Sequence, residues 1–263
     1  MNSRRRAALV LATIAALLAP AAHAMGSAQD CQPEDLAPVD AWLATHPWRV
    51  GATTPDALVA SACKLWPFDK RLLIVAAAYA QDKEQDKNLV VALVDTKTMS
   101  VRSAFRGALL EDETWSLAAG GLRIDTSPYD LAPGVRAIGV DVASDALDAP
   151  VRGGVTATRS LFVPEGAALR VVLDGLVLAT HDKVRVDDIR TTSATIAIDA
   201  HRSGGFADLR VTRTTSSTAR GSVATQDRTT LAYDGRHYRG VSSDLVHQVA
   251  PEGETAQGPA RQP

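Results

Sequence analysis

The residues of this sequence that could perform chemistry are carboxylates and a few histidines. Asp199 and His201 are separated by one residue, so a strand would place both side chains on the same face, where they could pair or bind a metal. A zinc site needs at least three protein ligands, and this pair supplies only two. The spacing therefore favours a polar contact at a strand edge over a metal site.

Two acidic groups could instead bind calcium through carboxylate oxygens. Asp82, Glu84 and Asp86 alternate along a charged segment, and Asp187 and Asp188 lie at the end of a predicted strand. Lysines interrupt the first group, and no glycine follows to form the sharp turn of an EF-hand loop. A calcium site and a solvated charged loop are both open interpretations of each group.

The sequence contains no motif of a serine hydrolase. The nucleophile elbow Gly-x-Ser-x-Gly does not occur. Ser243, Asp244 and His247 are the right residue types, but Asp and His lie too close in sequence to indicate a triad. The carboxylates of a glycosidase are paired in space and leave no such motif. We predict that the protein is not an enzyme, with a hydrolase of spatially assembled carboxylates as an alternative.

The N-terminal residues are typical of a cleavable signal peptide. Arg4–Arg6 precede the apolar run Ala7–Leu18, and Ala22-His23-Ala24 has the small-residue pattern of a cleavage site. The apolar run is shorter than the ~20 residues that span a bilayer. We therefore predict a signal peptide over residues 1–24, export to the periplasm and no membrane insertion.

The charge of the chain disfavours nucleic acid as a partner. The sequence has 28 Lys and Arg against 30 Asp and Glu, for a net charge of −2. Removal of residues 1–24 would take away three arginines and leave a net charge of about −5. Nucleic-acid binding depends on clustered positive charge. A basic protein partner would be attracted to this negative charge, whereas an acidic partner would be repelled.

Residues 25–70 differ in composition from the rest of the chain. They contain three of the four tryptophans and both cysteines, Cys31 and Cys63, which we predict to form a disulfide in an oxidising compartment. A short helical turn is predicted over Asp40–Thr45. Thr54-Pro55-Asp56 is typical of a helix start, with an N-cap, a proline and an acid in order. We predict a helical strap closed by the disulfide.

From Leu72 onward, short apolar runs alternate with turn residues. Glu165-Gly166 and Asp234-Gly235 are typical of hairpin turns. These signals predict a mainly β domain over residues 71–250, followed by a disordered tail over 251–263. Hairpins recur at roughly 30–40 residues, which favours a propeller, although a β-sandwich fits nearly as well. The predicted strands are Leu72–Ala80, Leu89–Val94, Val101–Phe105, Leu122–Asp125, Val135–Val142, Leu161–Pro164, Leu169–Leu173, Val184–Ile189, Ala194–Asp199, Phe206–Thr212 and Thr229–Tyr233.

About the C-terminal half resembles a known family. Ser160–Gly166 and Leu169–Leu173 look like one blade of a bacterial periplasmic propeller-like family, extended by Gly205–Val211 and Leu231–Tyr238. The run Gly205–Leu209 is also similar to the FG-GAP element of integrin-type propellers. Some periplasmic proteins of this kind inhibit lysozymes, including immunity proteins that neutralise cell-wall hydrolases of other bacteria. The resemblance implies an inhibitor or immunity protein.

The resemblance also indicates a binding loop. Lysozyme inhibitors use a Ser-Gly loop ending in Tyr, and the nearest match here ends in Phe. Two glycines would keep the loop thin enough to enter a cleft, while its Ser, Arg and His could bind the two carboxylates of the hydrolase. The alternative is an ordinary hairpin turn that needs glycine for its backbone angles. The predicted binding residues are His201, Arg202, Ser203, Gly204, Gly205 and Phe206.

The preferred function is therefore binding or inhibition of a periplasmic, lysozyme-like cell-wall hydrolase. A calcium-stabilised scaffold or adhesion module is the alternative, and it depends on the acidic groups described above. Calcium is the only cofactor that the sequence suggests.

Overall fold

The computed structural model describes residues 29–47, 57–80, 87–111, 115–144, 154–185, 188–239 and 249–251. The predicted signal peptide lies outside these ranges. Within them the chain forms one helix, α1 (Pro33–Thr45), and thirteen strands, so the mainly β class is confirmed. The strands are β1 (Leu58–Leu65), β2 (Leu72–Ala80), β3 (Lys87–Asp95), β4 (Ser100–Leu109), β5 (Leu117–Ala132), β6 (Val135–Ser144), β7 (Gly154–Glu165), β8 (Ala168–Arg185), β9 (Asp188–Ser203), β10 (Phe206–Ser217), β11 (Thr225–Tyr233), β12 (Tyr238–Arg239) and β13 (Val249–Pro251).

The strands are connected in one branched sheet. Its main path runs β1-β2-β3-β4-β8-β9-β10-β11-β12, while β7 pairs with β8, β6 with β7 and β5 with β6. The ladders are antiparallel except for a short parallel contact in which Ala104 of β4 faces Ala168 of β8. Propeller blades are separate small sheets around a channel. The propeller prediction is wrong, because the described strands share one sheet. Regular hairpin spacing in a sequence does not show whether successive hairpins belong to the same sheet.

The first core lies between β1–β4 and β5–β8. Ile74 of β2, Phe105 of β4, Ile138 of β6 and Phe162 of β7 all point into it. The alternate residues of β2 and β3 point to the opposite face and are buried as well. Burial on both faces explains why these strands read as continuous apolar runs rather than as an alternation.

The opposite face of β2–β4 is covered by α1. Gln32 caps the helix, Pro33 occupies its first turn and Asp35 reaches back to the Gln32 backbone N–H at 3.2 Å. The helix is therefore longer than the turn predicted over Asp40–Thr45. It buries Val39 and Leu43 against the sheet. At 13 residues it does not reach the length of a bilayer span, and no other helix occurs in the ranges described.

The disulfide Cys31–Cys63 is confirmed, and it joins the start of α1 to β1. The helix predicted to begin at Thr54-Pro55-Asp56 is wrong. Those three residues lie outside the described ranges, but Leu58–Leu65 form β1, which pairs with β2. Ala60 and Ala62 alternate into the first core with the period of a strand. Pairing with β2 has overridden a local capping signal.

The remaining strand predictions agree with the structure, apart from Val184–Ile189. There Val184 and Arg185 end β8, and Asp188 and Ile189 begin β9, with Asp188 opposite Arg185 in the ladder, so the predicted strand contains the ends of two strands; residues 186–187 lie outside the described ranges. All the other predicted strands lie within observed ones. Pro251, the first residue of the predicted tail, ends β13, and residues 252–263 lie outside the described ranges.

A second core positions the candidate site. It joins the far halves of β5–β8 to β9–β11 through side chains such as Leu131, Leu173, Leu209 and Leu231. These side chains fix the ends of β9, β10 and β11, where the predicted binding loop lies.

Candidate binding site

The predicted binding loop is a two-residue turn between β9 and β10. Ser203 pairs with Phe206, and Gly204 and Gly205 between them have φ of +57° and +98°. Both angles lie in the region that glycine adopts without steric cost. Positive φ at both central residues is typical of the hairpin turns that match the twist of paired strands. The loop is therefore a hairpin turn whose glycines serve the backbone, and binding through its exposed residues stays a prediction.

Aromatic side chains hold this turn against the β11–β12 hairpin. Phe206 stacks on Tyr233 with ring centroids 4.5 Å apart, and Tyr233 contacts Tyr238 at 5.2 Å. The Tyr238 hydroxyl donates to the Ala207 carbonyl at 2.6 Å. Burial raises the pKa of Tyr238, so its hydroxyl stays protonated and remains a donor. The turn and the hairpin are thus one packed unit.

Asp208 anchors the turn from inside. Its side chain is buried, and its Oδ2 accepts hydrogen bonds from His201 Nδ1 at 2.5 Å and from Ser203 Oγ at 3.1 Å. Burial alone would raise the pKa of this carboxyl, but the bonds from His201 and Ser203 outweigh burial and lower the pKa. Asp208 is therefore ionised at neutral pH and fixes two of the predicted binding residues.

A bulge in β10 explains how Asp208 reaches this position. The register between β9 and β10 shifts between Ala207 and Leu209, and three consecutive residues are buried there instead of alternate ones. Bulges redirect side chains in this way. The only sequence signal for Asp208 is a carboxylate inside the otherwise apolar start of a strand.

The imidazole of His201 pairs with Asp208 and not with Asp199, which corrects the predicted carboxylate–imidazole pair. Asp199 Oδ1 instead accepts the His201 backbone N–H at 3.1 Å, and Asp199 Oδ2 lies 3.6 Å from Arg210 Nη1. The His201 side chain is 73% exposed. Since its Nδ1 faces Asp208, its Nε2 points away from the carboxylate.

Arg170 of β8 connects the β7–β8 turn to the β11–β12 hairpin. Its Nε donates to Glu165 Oε2 at 2.6 Å, and its Nη1 donates to the Tyr233 hydroxyl and the Arg236 carbonyl, both at 2.9 Å. Asp234 accepts backbone N–H groups of its own hairpin, which lowers its pKa. Arg170 was not predicted, because no local pattern shows that β8 and the β11–β12 hairpin are neighbours.

The six predicted binding residues lie together at the β9–β10 turn, and they differ in solvent exposure. His201, Arg202, Gly204 and Gly205 are exposed, and the other two are half-buried. Arg202 Nη1 donates to the Leu131 carbonyl of β5 at 3.0 Å, which fixes one end of the guanidinium and leaves its other N–H groups at the surface. We call the exposed surface of His201–Gly205 together with residues 234–237 the turn platform.

A second charged cluster lies inside the sheet. Arg159 of β7 donates to Asp141 Oδ1 and Oδ2 at 2.5 and 2.8 Å and to the Tyr129 hydroxyl at 2.6 Å. Tyr129 in turn donates to Asp125 at 2.7 Å, and burial raises the pKa of Tyr129 to about 12. Arg123 covers the outer side of Asp141. Each of these charges is paired, so removal of one partner would leave an uncompensated charge in a buried place.

The predicted calcium ligands fall mostly outside the described ranges. This is the case for Asp82, Glu84, Asp86 and Asp187. Asp188 is described, is half-buried and accepts a hydrogen bond from the Ser217 hydroxyl. The described residues contain no group of three or more His, Cys, Asp or Glu that could hold a metal ion.

An open cleft of about 540 Å³ lies beside the β7–β8 turn. Buried Trp66 and Leu93 form part of its wall, and the ion pair of Asp69 with Arg71, at 2.8 Å, lies at its rim. None of the six predicted binding residues lines it. The cleft is therefore separate from the turn platform.

Comparison with known proteins adds no family to this description. No protein-family model, no curated protein and no solved structure matches the chain. The resemblance to periplasmic inhibitors therefore stays a prediction, and the candidate site is argued from its own geometry.

Proposed function

We propose that this protein is a non-enzymatic binding protein of the bacterial periplasm that inhibits a lysozyme-like cell-wall hydrolase. The turn platform would be its contact surface. The observation that carries the proposal is the fixation of an exposed turn by buried Asp208, which holds both His201 and Ser203.

Rigidity of the turn favours binding. A flexible loop loses conformational entropy when it enters a cleft, and this loss reduces affinity. Here Gly204 packs on the backbone of Tyr233 and Gly235, and Phe206 stacks on Tyr233. These contacts hold the turn in one shape before any partner arrives.

The exposed charges of the platform suit an acidic cleft. Arg202 presents guanidinium N–H groups beside the turn, and His201 adds an exposed imidazole. Arg236 lies on the neighbouring hairpin and is also exposed. Retaining glycosidases carry two carboxyl groups about 5–5.5 Å apart. An arginine can bind such groups through charge-assisted hydrogen bonds.

The hydrogen-bond pattern argues against a hydrolase built on the same residues. In a catalytic triad the imidazole lies between the serine and the carboxylate and takes the serine proton. Here Ser203 Oγ donates to Asp208 directly, so its proton is directed to the carboxylate and not to His201. This arrangement positions a turn rather than activating a nucleophile.

The proposal is tested by titrating the purified protein into peptidoglycan-hydrolysis assays with a panel of lysozyme-type enzymes. We expect at least one enzyme to be inhibited at a one-to-one ratio. If no enzyme of the panel is inhibited or bound, the proposal is overturned.

A further inference from the structure

The open cleft beside the β7–β8 turn has the size of a small-molecule site. Its volume is about 540 Å³, and its walls are the β1–β2, β3–β4 and β7–β8 turns and the start of β4. Half-buried Leu72 and Val101 contribute apolar surface beside Trp66 and Leu93. A concave surface that combines apolar walls with a few polar groups is typical of a ligand site.

Hydrogen bonds join the three turns, so the cleft has a fixed shape. Thr96 donates its backbone N–H and its hydroxyl to the Arg71 carbonyl, at 2.9 and 3.1 Å, which connects the β3–β4 turn to the β1–β2 turn. Ser103 Oγ donates to the Gly166 carbonyl at 2.8 Å, which connects β4 to the β7–β8 turn. A site that is formed in advance loses less conformational entropy when a ligand binds.

A bulge in β4 places Arg102 at this cleft. The register between β3 and β4 shifts at Arg102, which is an extra residue without a partner in β3. Bulges are common beside functional sites, where they redirect a side chain. Arg102 is exposed and lines the cleft. Within the described ranges its guanidinium donates no hydrogen bond and forms no ion pair, so all of its N–H groups can bind a ligand.

Asp95 provides the opposite charge. Its Oδ1 accepts the backbone N–H groups of Thr98 and Lys97, both at 3.0 Å. These bonds lower the pKa of Asp95, and the nearby charge of Arg102 lowers it further, so the carboxyl group is ionised at neutral pH. Asp95 forms no ion pair with any residue that the structure describes. Asp95 and Arg102 are therefore neighbouring charges of opposite sign that do not bind each other.

The charges of the cleft determine which kind of ligand it suits. Arg71 Nε and Nη2 donate to the two oxygens of Asp69 at 2.9 and 2.8 Å, so this second pair is already satisfied. A simple anion would be attracted by Arg102 but repelled by Asp95, and a simple cation would meet the reverse. A ligand that carries both charges suits both residues.

We propose that this cleft binds a short peptide with free termini. The α-carboxylate of the peptide accepts charge-assisted hydrogen bonds from Arg102, and its α-ammonium donates to Asp95. Apolar side chains of the peptide pack on Leu72 and Val101. The volume is larger than a single amino acid needs, so a peptide of two or more residues fits it. The proposal is independent of the proposed function, since none of the six predicted binding residues lines the cleft.

Titration of the ¹⁵N-labelled protein with the dipeptide leucyl-leucine, followed by NMR chemical shifts, tests the proposal. We expect saturable binding with a Kd of about 0.1–1 mM, which is typical of a ligand of this size. N-acetyl-leucyl-leucine lacks the ammonium group, and leucyl-leucinamide lacks the carboxylate. Each of these blocked peptides should bind at least about tenfold more weakly than leucyl-leucine.

Two variants assign each end of the peptide to its residue. Arg102→Ala should bind leucyl-leucine about tenfold more weakly and should no longer distinguish it from leucyl-leucinamide. Asp95→Asn keeps an oxygen that accepts the N–H groups of the turn, and it should no longer distinguish leucyl-leucine from its acetylated form. Arg228→Ala, at an exposed arginine of β11, is the matched control and should bind like the wild type.

Each variant is compared with itself on two ligands, so the test does not require all variants to be equally stable. A wild type that does not bind leucyl-leucine at about 10 mM overturns the proposal. Blocked peptides that bind as tightly as leucyl-leucine also overturn it, because the two charges would then be solvated and without a role in binding. Variants that keep the wild-type preference for free termini overturn it as well.

Discussion

The Gly204 backbone lies so close to Gly235 that a β-carbon added at Gly204 would be 2.6 Å from the Gly235 nitrogen. The same atom would lie 2.7 Å from the Tyr233 carbonyl oxygen. Gly205, the next residue, also has positive φ but has no atom within 4 Å of such a β-carbon. The two glycines of the turn are therefore required for different reasons, close approach at the first and backbone angle at both.

Substitution of the two glycines by alanine should separate these reasons. Gly205→Ala meets only the cost of a left-handed backbone, about 1–2 kcal/mol. Gly204→Ala meets the same cost and must also displace the hairpin backbone, for a total of about 2–5 kcal/mol. Urea unfolding measures both values. Equal losses of unfolding free energy for the two variants would mean that Gly204 does not approach the hairpin backbone as closely as described.

Asp208→Asn should destabilise the protein at neutral pH by about 1–3 kcal/mol, because two hydrogen bonds to a buried carboxylate become bonds to a neutral amide oxygen. The pKa of Asp208 is lower in the folded protein than in the unfolded chain. Its stabilisation is therefore complete above the unfolded pKa of about 3.9 and is lost as the pH falls through the folded pKa.

The difference in unfolding free energy between wild type and Asp208→Asn should accordingly shrink as the pH falls from about 5 to about 3. Denaturant unfolding at a series of pH values measures it. Asp30→Asn, at an exposed carboxylate, is the matched control. A difference that grows over that range of pH would contradict the assignment of an ionised Asp208.

How much of this structure is predictable from sequence varies with the range of the interaction. β2 and both glycine turns at residues 166 and 235 follow from local composition, and they were predicted correctly. The sequence predicts a helix where β1 forms, because the identity of β1 depends on pairing with β2 and not on the capping signal before it. The sequence does not predict the role of Asp208, because a bulge in β10 positions it. It does not predict the role of Arg170 either, because that role depends on a contact between distant strands.

Removal of one partner of the buried ion cluster should be costly. Arg159→Met leaves Asp141 and Asp125 without their buried cation, and we expect a loss of about 3–5 kcal/mol. The more exposed pair of Arg136 with Asp130, at 2.6 Å, provides the comparison, and Arg136→Met should cost about 1 kcal/mol or less. Thermal and urea unfolding of the two variants would show the contrast. Similar losses would indicate that the cluster is solvated in solution.

The disulfide should contribute stability through the unfolded chain. Cys31 and Cys63 are 32 residues apart, and a loop of this length corresponds to about 3–4 kcal/mol in the chain-entropy model. The variant Cys31→Ala/Cys63→Ala should lose this amount while keeping the same circular dichroism spectrum at low temperature. A loss below about 1 kcal/mol would show that α1 and β1 are held together by packing alone.

The central claim is that the turn platform binds a lysozyme-like hydrolase, and the inhibition constant of Arg202→Ala tests it most directly. Arg190→Ala, at an exposed arginine near the other end of β9, is the matched control. We predict that Arg202→Ala weakens inhibition by about 1–3 kcal/mol, or about 5–150-fold, while Arg190→Ala inhibits like the wild type. Arg202→Ala also loses the hydrogen bond to the Leu131 carbonyl, at a cost of about 1 kcal/mol in stability, so both variants are compared at a temperature at which circular dichroism shows them folded. Equal inhibition by Arg202→Ala and the wild type would contradict the account.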